Sequence, residues 1–107
     1  MRRDVAFAFA SSLSLPEQLA RLNSRGSYTW IERDGAWYPD YISTRAHPDD
    51  GFFKIYDAVD GRFVLGIKHV TDRPTIDAEL AKLVRVAREQ VLPAIDAREV
   101  EATEPYD

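Results

Sequence analysis

Residues 52–70 read Phe-Phe-Lys-Ile-Tyr-Asp-Ala-Val-Asp-Gly-Arg-Phe-Val-Leu-Gly-Ile-Lys-His-Val. In the second half Phe63, Leu65 and Ile67 alternate with Val64, Gly66 and Lys68, the period of two that sends successive side chains to opposite faces of a strand. The first half, Phe52 to Val59, runs into Asp60-Gly61, a pair suited to the tight turn of a hairpin. This stretch predicts two antiparallel strands, 52–59 and 62–70, and sets the class of the sheet.

Upstream, two further segments carry strand character. Tyr28 to Arg33 ends at Asp34-Gly35, a second hairpin signal, and Trp37 to Ala46 is the expected return strand. Pro39 cannot donate to a ladder, so that end of the return strand is expected at an edge, a bulge or a loop. His47-Pro48-Asp49-Asp50-Gly51 reads as a loop. At the start of the chain Val5, Phe7 and Phe9 alternate with alanines, which predicts a first strand over 4–10.

Two helices frame these strands. Ser14-Leu15-Pro16-Glu17 is a capping-box pattern, in which each of Ser14 and Glu17 can bond the other's amide through its side chain. Pro16 is tolerated in a first turn. Leu15, Leu19 and Leu22 then recur at helical spacing, and Gly26 is expected to stop the helix by taking positive φ. The second helix is marked by Ile76, Leu80, Leu83, Val84, Ala87 and Val91 on one face, with Pro93 ending it or kinking its last turn. A short edge strand is expected over 97–102, and a frayed acidic tail over 103–107.

The order strand, helix, four strands, helix predicts one α+β domain over 1–102. Its architecture is a two-layer sandwich, a mostly antiparallel sheet with both helices on one face. Because a helix joins the first strand to the second, the first strand is expected inside the sheet, where it can lie parallel to a non-sequential neighbour. The expected core comprises Val5, Phe7 and Phe9, then Leu19 and Leu22, then Ile55, Leu65 and Ile67, and finally Leu80, Leu83, Val84 and Ala87.

Composition narrows the class of protein. The 107 residues are 45% hydrophobic and 30% charged, ordinary globular values for one domain. There is no cysteine, so disulfides, thiolate metal sites and a cysteine nucleophile are excluded, and a cytoplasmic location is expected. The apolar run after Met1-Arg2-Arg3 is short for a signal peptide, and no stretch is long enough to span a membrane. The net charge is −4. From Asp96 onward five acids face one base, which holds the whole excess, and the rest of the chain is balanced at 13 acids and 13 bases. That distribution suits a nucleic-acid backbone poorly, so nucleic acid is not expected as a partner.

No motif names a reaction. No serine sits in a Gly-x-Ser-x-Gly turn, and the glycines are isolated rather than clustered into a phosphate loop. His47, Asp49, Asp50 and His69 could in principle hold a divalent ion, but they match no metal-binding spacing, and turn chemistry accounts for the loop. No cofactor is implied.

The densest unusual feature is aromatic: Tyr28, Trp30, Trp37, Tyr38 and Tyr41, close to half of the chain's rings, lie within one presumed hairpin. Rings there can pack under the helices, but they cannot all point into one core. The stretch 28–46 resembles segments of small bacterial proteins, a likeness that implies no activity. The binding candidates are therefore Trp37, Tyr38, Asp40 and Tyr41, on an edge or loop where large rings can reach a partner. The leading expectation is a non-catalytic protein-binding module, monomeric or homodimeric, of the toxin-neutralising kind by analogy. The alternative is a small-ligand-binding protein or small enzyme with a pocket between sheet and helices. Aromatics on an open sheet face would favour the former, an apolar pocket with convergent polar groups the latter.

Overall fold

The computed structural model describes residues 1–26, 28–33, 41–44, 51–59 and 61–105. Six strands form one sheet: β1 (Arg2–Ala10), β2 (Trp30–Arg33), β3 (Tyr41–Thr44), β4 (Gly51–Val59), β5 (Arg62–Val70) and β6 (Arg98–Thr103). Their spatial order is β2-β3-β4-β5-β1-β6. The β4–β5 hairpin forms where the alternation placed it, in a register that pairs Ile55 with Leu65 and Phe53 with Ile67. Gly61 sits in its turn at φ 77, a left-handed conformation that side-chain-bearing residues adopt only at a cost.

β1 lies inside the sheet, but it has no parallel neighbour. It pairs antiparallel with β5 on one side and with β6 on the other. Successive antiparallel pairings from β2 to β1 do make those two strands run in the same direction, as a helical crossover requires. They are kept apart because β3, β4 and β5 lie between them. The helix between β1 and β2 thus carries the chain across the sheet towards the far edge.

That helix, α1 (Leu15–Arg25), begins with the expected capping box. The Glu17 amide donates to Ser14 Oγ at 3.3 Å and the Ser14 amide to Glu17 Oε1 at 3.0 Å. Gly26 ends the helix, but not through positive φ: its φ is −98. A Cβ there would lie 2.8 Å from the Leu22 carbonyl oxygen, so close approach is what the absent side chain permits.

The second helix, α2 (Ile76–Val86), runs on through a π-turn at Ala87–Val91 into a last turn at Leu92–Ala94. Within the π-turn Leu92 N–H bonds to Ala87 O, five residues back. The wider turn precedes Pro93, which has no N–H to give and crowds the carbonyl four residues before it.

Both helical segments pack on one face of the sheet, where Phe7, Phe9, Phe53, Ile55, Leu65 and Ile67 meet Leu15, Leu22, Ala87, Val91, Leu92 and Ile95. The α2 face is less covered than its periodicity suggests. Leu80, Leu83 and Val84 are only partly buried, whereas Ala87, Val91, Leu92 and Ile95 beyond them are buried. The last turn touches α1 and the later segment shares one buried cluster with the strand residues, and a second neighbour is what closes a helix face. Val5 and Leu19 are likewise only partly buried.

β6 runs to Thr103, the first residue of the expected tail, which pairs with Ala6. The strand bulges against β1, with Glu99 at φ 54 between the pairs Ala10–Arg98 and Ala8–Glu101, the kind of left-handed residue that β-bulges use.

Candidate functional site

Period two and register together fix what the other face of the sheet presents. On β4 it shows Phe52, Lys54 and Tyr56, and on β5 Val64, Gly66 and Lys68. β1 adds Arg2, Asp4 and Ala6, β3 adds Tyr41, and β2 adds Arg33. Across the strands Asp4 pairs with Lys68 and Lys68 with Phe52, Ala6 with Gly66 and Gly66 with Lys54, and Tyr56 with Tyr41. No helix among the described elements packs on this face.

The aromatic groups here form a connected set with the lysines. The Tyr41 and Tyr56 rings lie 5.1 Å apart, centroid to centroid. The Lys54 ammonium sits 5.4 Å from the centre of the Tyr41 ring and 5.1 Å from that of Phe52. The Lys68 ammonium also lies over Phe52, at 5.4 Å. Each is within the range of cation–π attraction. Tyr56 is buried, while Tyr41, Phe52, Lys54 and Lys68 are half-buried.

Two hollows meet at this cluster. The first, of about 120 Å³, is lined by residues including Arg2, Lys54, Tyr56, Gly66, Lys68 and Pro105. The small Ala6–Gly66 pair lowers its neighbourhood. A Cβ on Gly66 would meet only the Lys54 carbonyl and the Tyr56 ring, at ordinary van der Waals distance. The second hollow is lined by Arg33, Tyr41, Ser43, Thr44, Phe52 and Lys54. Phe52 and Lys54 belong to both.

The local charge is positive although the chain is acidic. Partial burial pulls the Lys54 ammonium below the ordinary lysine value, and the like charges of Lys68, Arg2 and Arg33 act the same way. Among the described residues Asp4 alone opposes them, and its carboxylate is 2.7 Å from Arg2 Nε. Among the described residues neither Lys54 nor Lys68 is held in an ion pair. Chemically, this surface offers ammonium and guanidinium donors above aromatic rings.

Of the residues that sequence reasoning singled out for binding, Tyr41 belongs to this surface. Trp37, Tyr38 and Asp40 lie outside the described residues, as do His47, Asp49 and Asp50. Trp30 points the other way, 2% exposed and stacked on Phe53 at 6.1 Å in the helix-facing core. Tyr28 also meets Phe53, edge-on at 5.5 Å. Lys54, Lys68 and Arg2 were not singled out. Their alternation with apolar neighbours was visible in the sequence, but which strands stand side by side was not.

His69 belongs to neither hollow. It is 1% exposed on the helix-facing side, with Nε2 3.3 Å from Glu79 Oε1, while Arg73 Nε donates to Glu79 Oε2 at 2.7 Å. Desolvation acts to raise the Glu79 carboxyl, but hydrogen bonds and charge from His69 and Arg73 together hold it below the ordinary glutamate value. The trio ties the start of α2 to the end of β5. Among the described residues no three His, Asp or Glu side chains are grouped so as to hold a metal ion, and no helix is long and apolar enough to cross a membrane. No known family model and no curated protein matches the chain.

Proposed function

We propose that this chain is a non-catalytic protein-binding module that offers the helix-free face of its sheet to a partner. The observation that carries the reading is the meeting of two hollows at Phe52 and Lys54, with Tyr41 beside them. Half-buried rings give contact area with little rotamer freedom to lose, and flanking cations give direction to the contact. The helix-facing side, by contrast, is filled by Phe9, Ile55, Leu65, Ile67 and Ile95, all essentially inaccessible. The two hollows, of about 120 Å³ and about 360 Å³, lie open on the sheet face rather than enclosing a cavity, whereas small-molecule sites bury most of the ligand's surface, which favours a protein partner over a small molecule. A cytoplasmic module that neutralises a toxin is one form of this proposal, supported by analogy of size and acidic charge alone.

The test is site-specific photo-crosslinking in cells. A benzophenone amino acid replaces Tyr41 on the open face or, as control, Lys82 on the exposed side of α2. Discrete protein adducts from position 41 and none from position 82 are expected. Adducts from position 82 only, or from neither position, would overturn the reading.

A further inference from the structure

We infer that the occupant of the open face is an acidic segment of another protein, whose carboxylates sit on Lys54 and Lys68 while its apolar side chains rest against Phe52 and Tyr41. This inference rests on the binding reading above and adds the chemistry of the partner. Two ammonium groups converge on one ring, Lys54 at 5.1 Å and Lys68 at 5.4 Å from the centre of Phe52. Holding two like charges over one ring costs repulsion that the ring's quadrupole offsets only in part. Among the described residues, Lys68 and Arg33 add like charge around Lys54 and Asp4 opposes it, but the Asp4 carboxylate is already 2.7 Å from Arg2 Nε, and neither lysine is held in an ion pair there. A counter-charge for the two lysines is what a carboxylate-bearing ligand supplies, and burial under that ligand strengthens each pair relative to water.

The rest of the charge distribution separates an acidic polypeptide from a long polyanion. The positive patch is bounded at the β6 edge, where Glu101 stands opposite Ala8 on the same face of the sheet and is followed by Glu104. Arg62, beside them, is already 3.3 Å from Glu99 and 3.6 Å from Glu101. A nucleic-acid strand or an anionic bilayer extending across the sheet would meet these carboxylates. A short acidic segment lying over β4 and β5 need not.

The experiment titrates a rhodamine-labelled oligoglutamate peptide against the intact chain and reads fluorescence anisotropy. Lys54→Glu with Lys68→Glu is compared with Lys82→Glu and Arg85→Glu on exposed α2 positions, an equal change in net charge. Binding is expected to weaken at least about tenfold in the first pair and less than about twofold in the second. It should also weaken between about 50 mM and about 200 mM salt, because partly exposed pairs are screened. Should the first pair fail to fold by circular dichroism, Lys54→Gln with Lys68→Gln is to give the same ranking.

Equal losses in both pairs, or no saturable binding, would overturn the inference. So would tighter binding of oligothymidylate or of phosphatidylserine vesicles than of oligoglutamate. Concentration-dependent dimerisation abolished by the Lys54/Lys68 changes would also overturn it, since the occupant would then be a second copy. If oligoglutamate fails to bind but position 41 still crosslinks a protein in cells, only the acidic chemistry of the partner falls. If crosslinking fails as well, the open-face reading falls with it.

Discussion

Replacing Asn23 by alanine should loosen the edge of the sheet. Asn23 lies in the last turn of α1, and its amide grips the backbone of Trp30 at the start of β2: Nδ2 donates to Trp30 O at 3.0 Å, and Trp30 N–H donates to Oδ1 at 2.7 Å. The side chain acts as a short stand-in for a neighbouring strand on an edge that has none among the described strands. Trp30 itself is 2% exposed, so its orphaned backbone groups would be poorly placed to recover water. Two hydrogen bonds at about 1 kcal/mol each are lost. The higher helix propensity of alanine returns about 0.5 kcal/mol, leaving a net loss of about 1.5 kcal/mol. Urea unfolding reads this directly: with a slope of about 1–3 kcal/mol/M, the midpoint should fall by roughly 0.5–1.5 M at unchanged slope. Asn23→Asp separates the two bonds. It keeps an acceptor for the Trp30 amide but sets a carboxylate oxygen against the Trp30 carbonyl, so at neutral pH it should be at least as costly. A loss below about 0.5 kcal/mol for Asn23→Ala, the range of ordinary surface changes, would refute the clamp, and so would an Asn23→Asp variant as stable as the parent.

Three other outcomes are expected. Ser14→Ala removes the α1 cap and should lower unfolding free energy by about 1 kcal/mol, measurable as a shift in denaturant midpoint. Leu65→Ala, at a fully buried β5 position, should cost about 2–5 kcal/mol, whereas Leu83→Ala on the partly buried face of α2 should cost about 1–2 kcal/mol; equal losses would show that this face is as closed as the sheet core. The Glu79 carboxyl titrates below its ordinary value in the folded state, so the stability it contributes is present above the unfolded value and is lost as pH falls through the lowered folded one. Glu79→Gln should therefore flatten the acid limb of a plot of melting temperature against pH, and an unchanged limb would show that the contact with His69 and Arg73 does not hold in solution.

The elements whose causes are local were legible in the sequence. The β4–β5 hairpin follows from alternation and a turn pair within 19 consecutive residues, 52–70, and β5 begins and ends where the pattern does. The α1 cap is a contact between residues three apart. The fold class follows from these, because amphipathic helices and one-sided strands have few ways to cover each other. Other features depend on which segments become neighbours. Antiparallel partners on both sides of β1 are set by the path of α1 across the helical layer, and nothing within residues 2–10 encodes that path. The partial cover of Leu83 depends on where α1 comes to rest, and the Asn23 clamp joins a helix end to an edge strand across a connection that reads only as a stop. The convergence of Lys54 and Lys68 on Phe52 is of the same kind. Each lysine's face could be read from its own strand, but the pairing of Phe52 with Lys68 and the absence of a described helix above them arise only when the sheet is assembled. Period two reports which side of its own strand a residue takes, and only the packed structure decides which side is covered and what stands next to it.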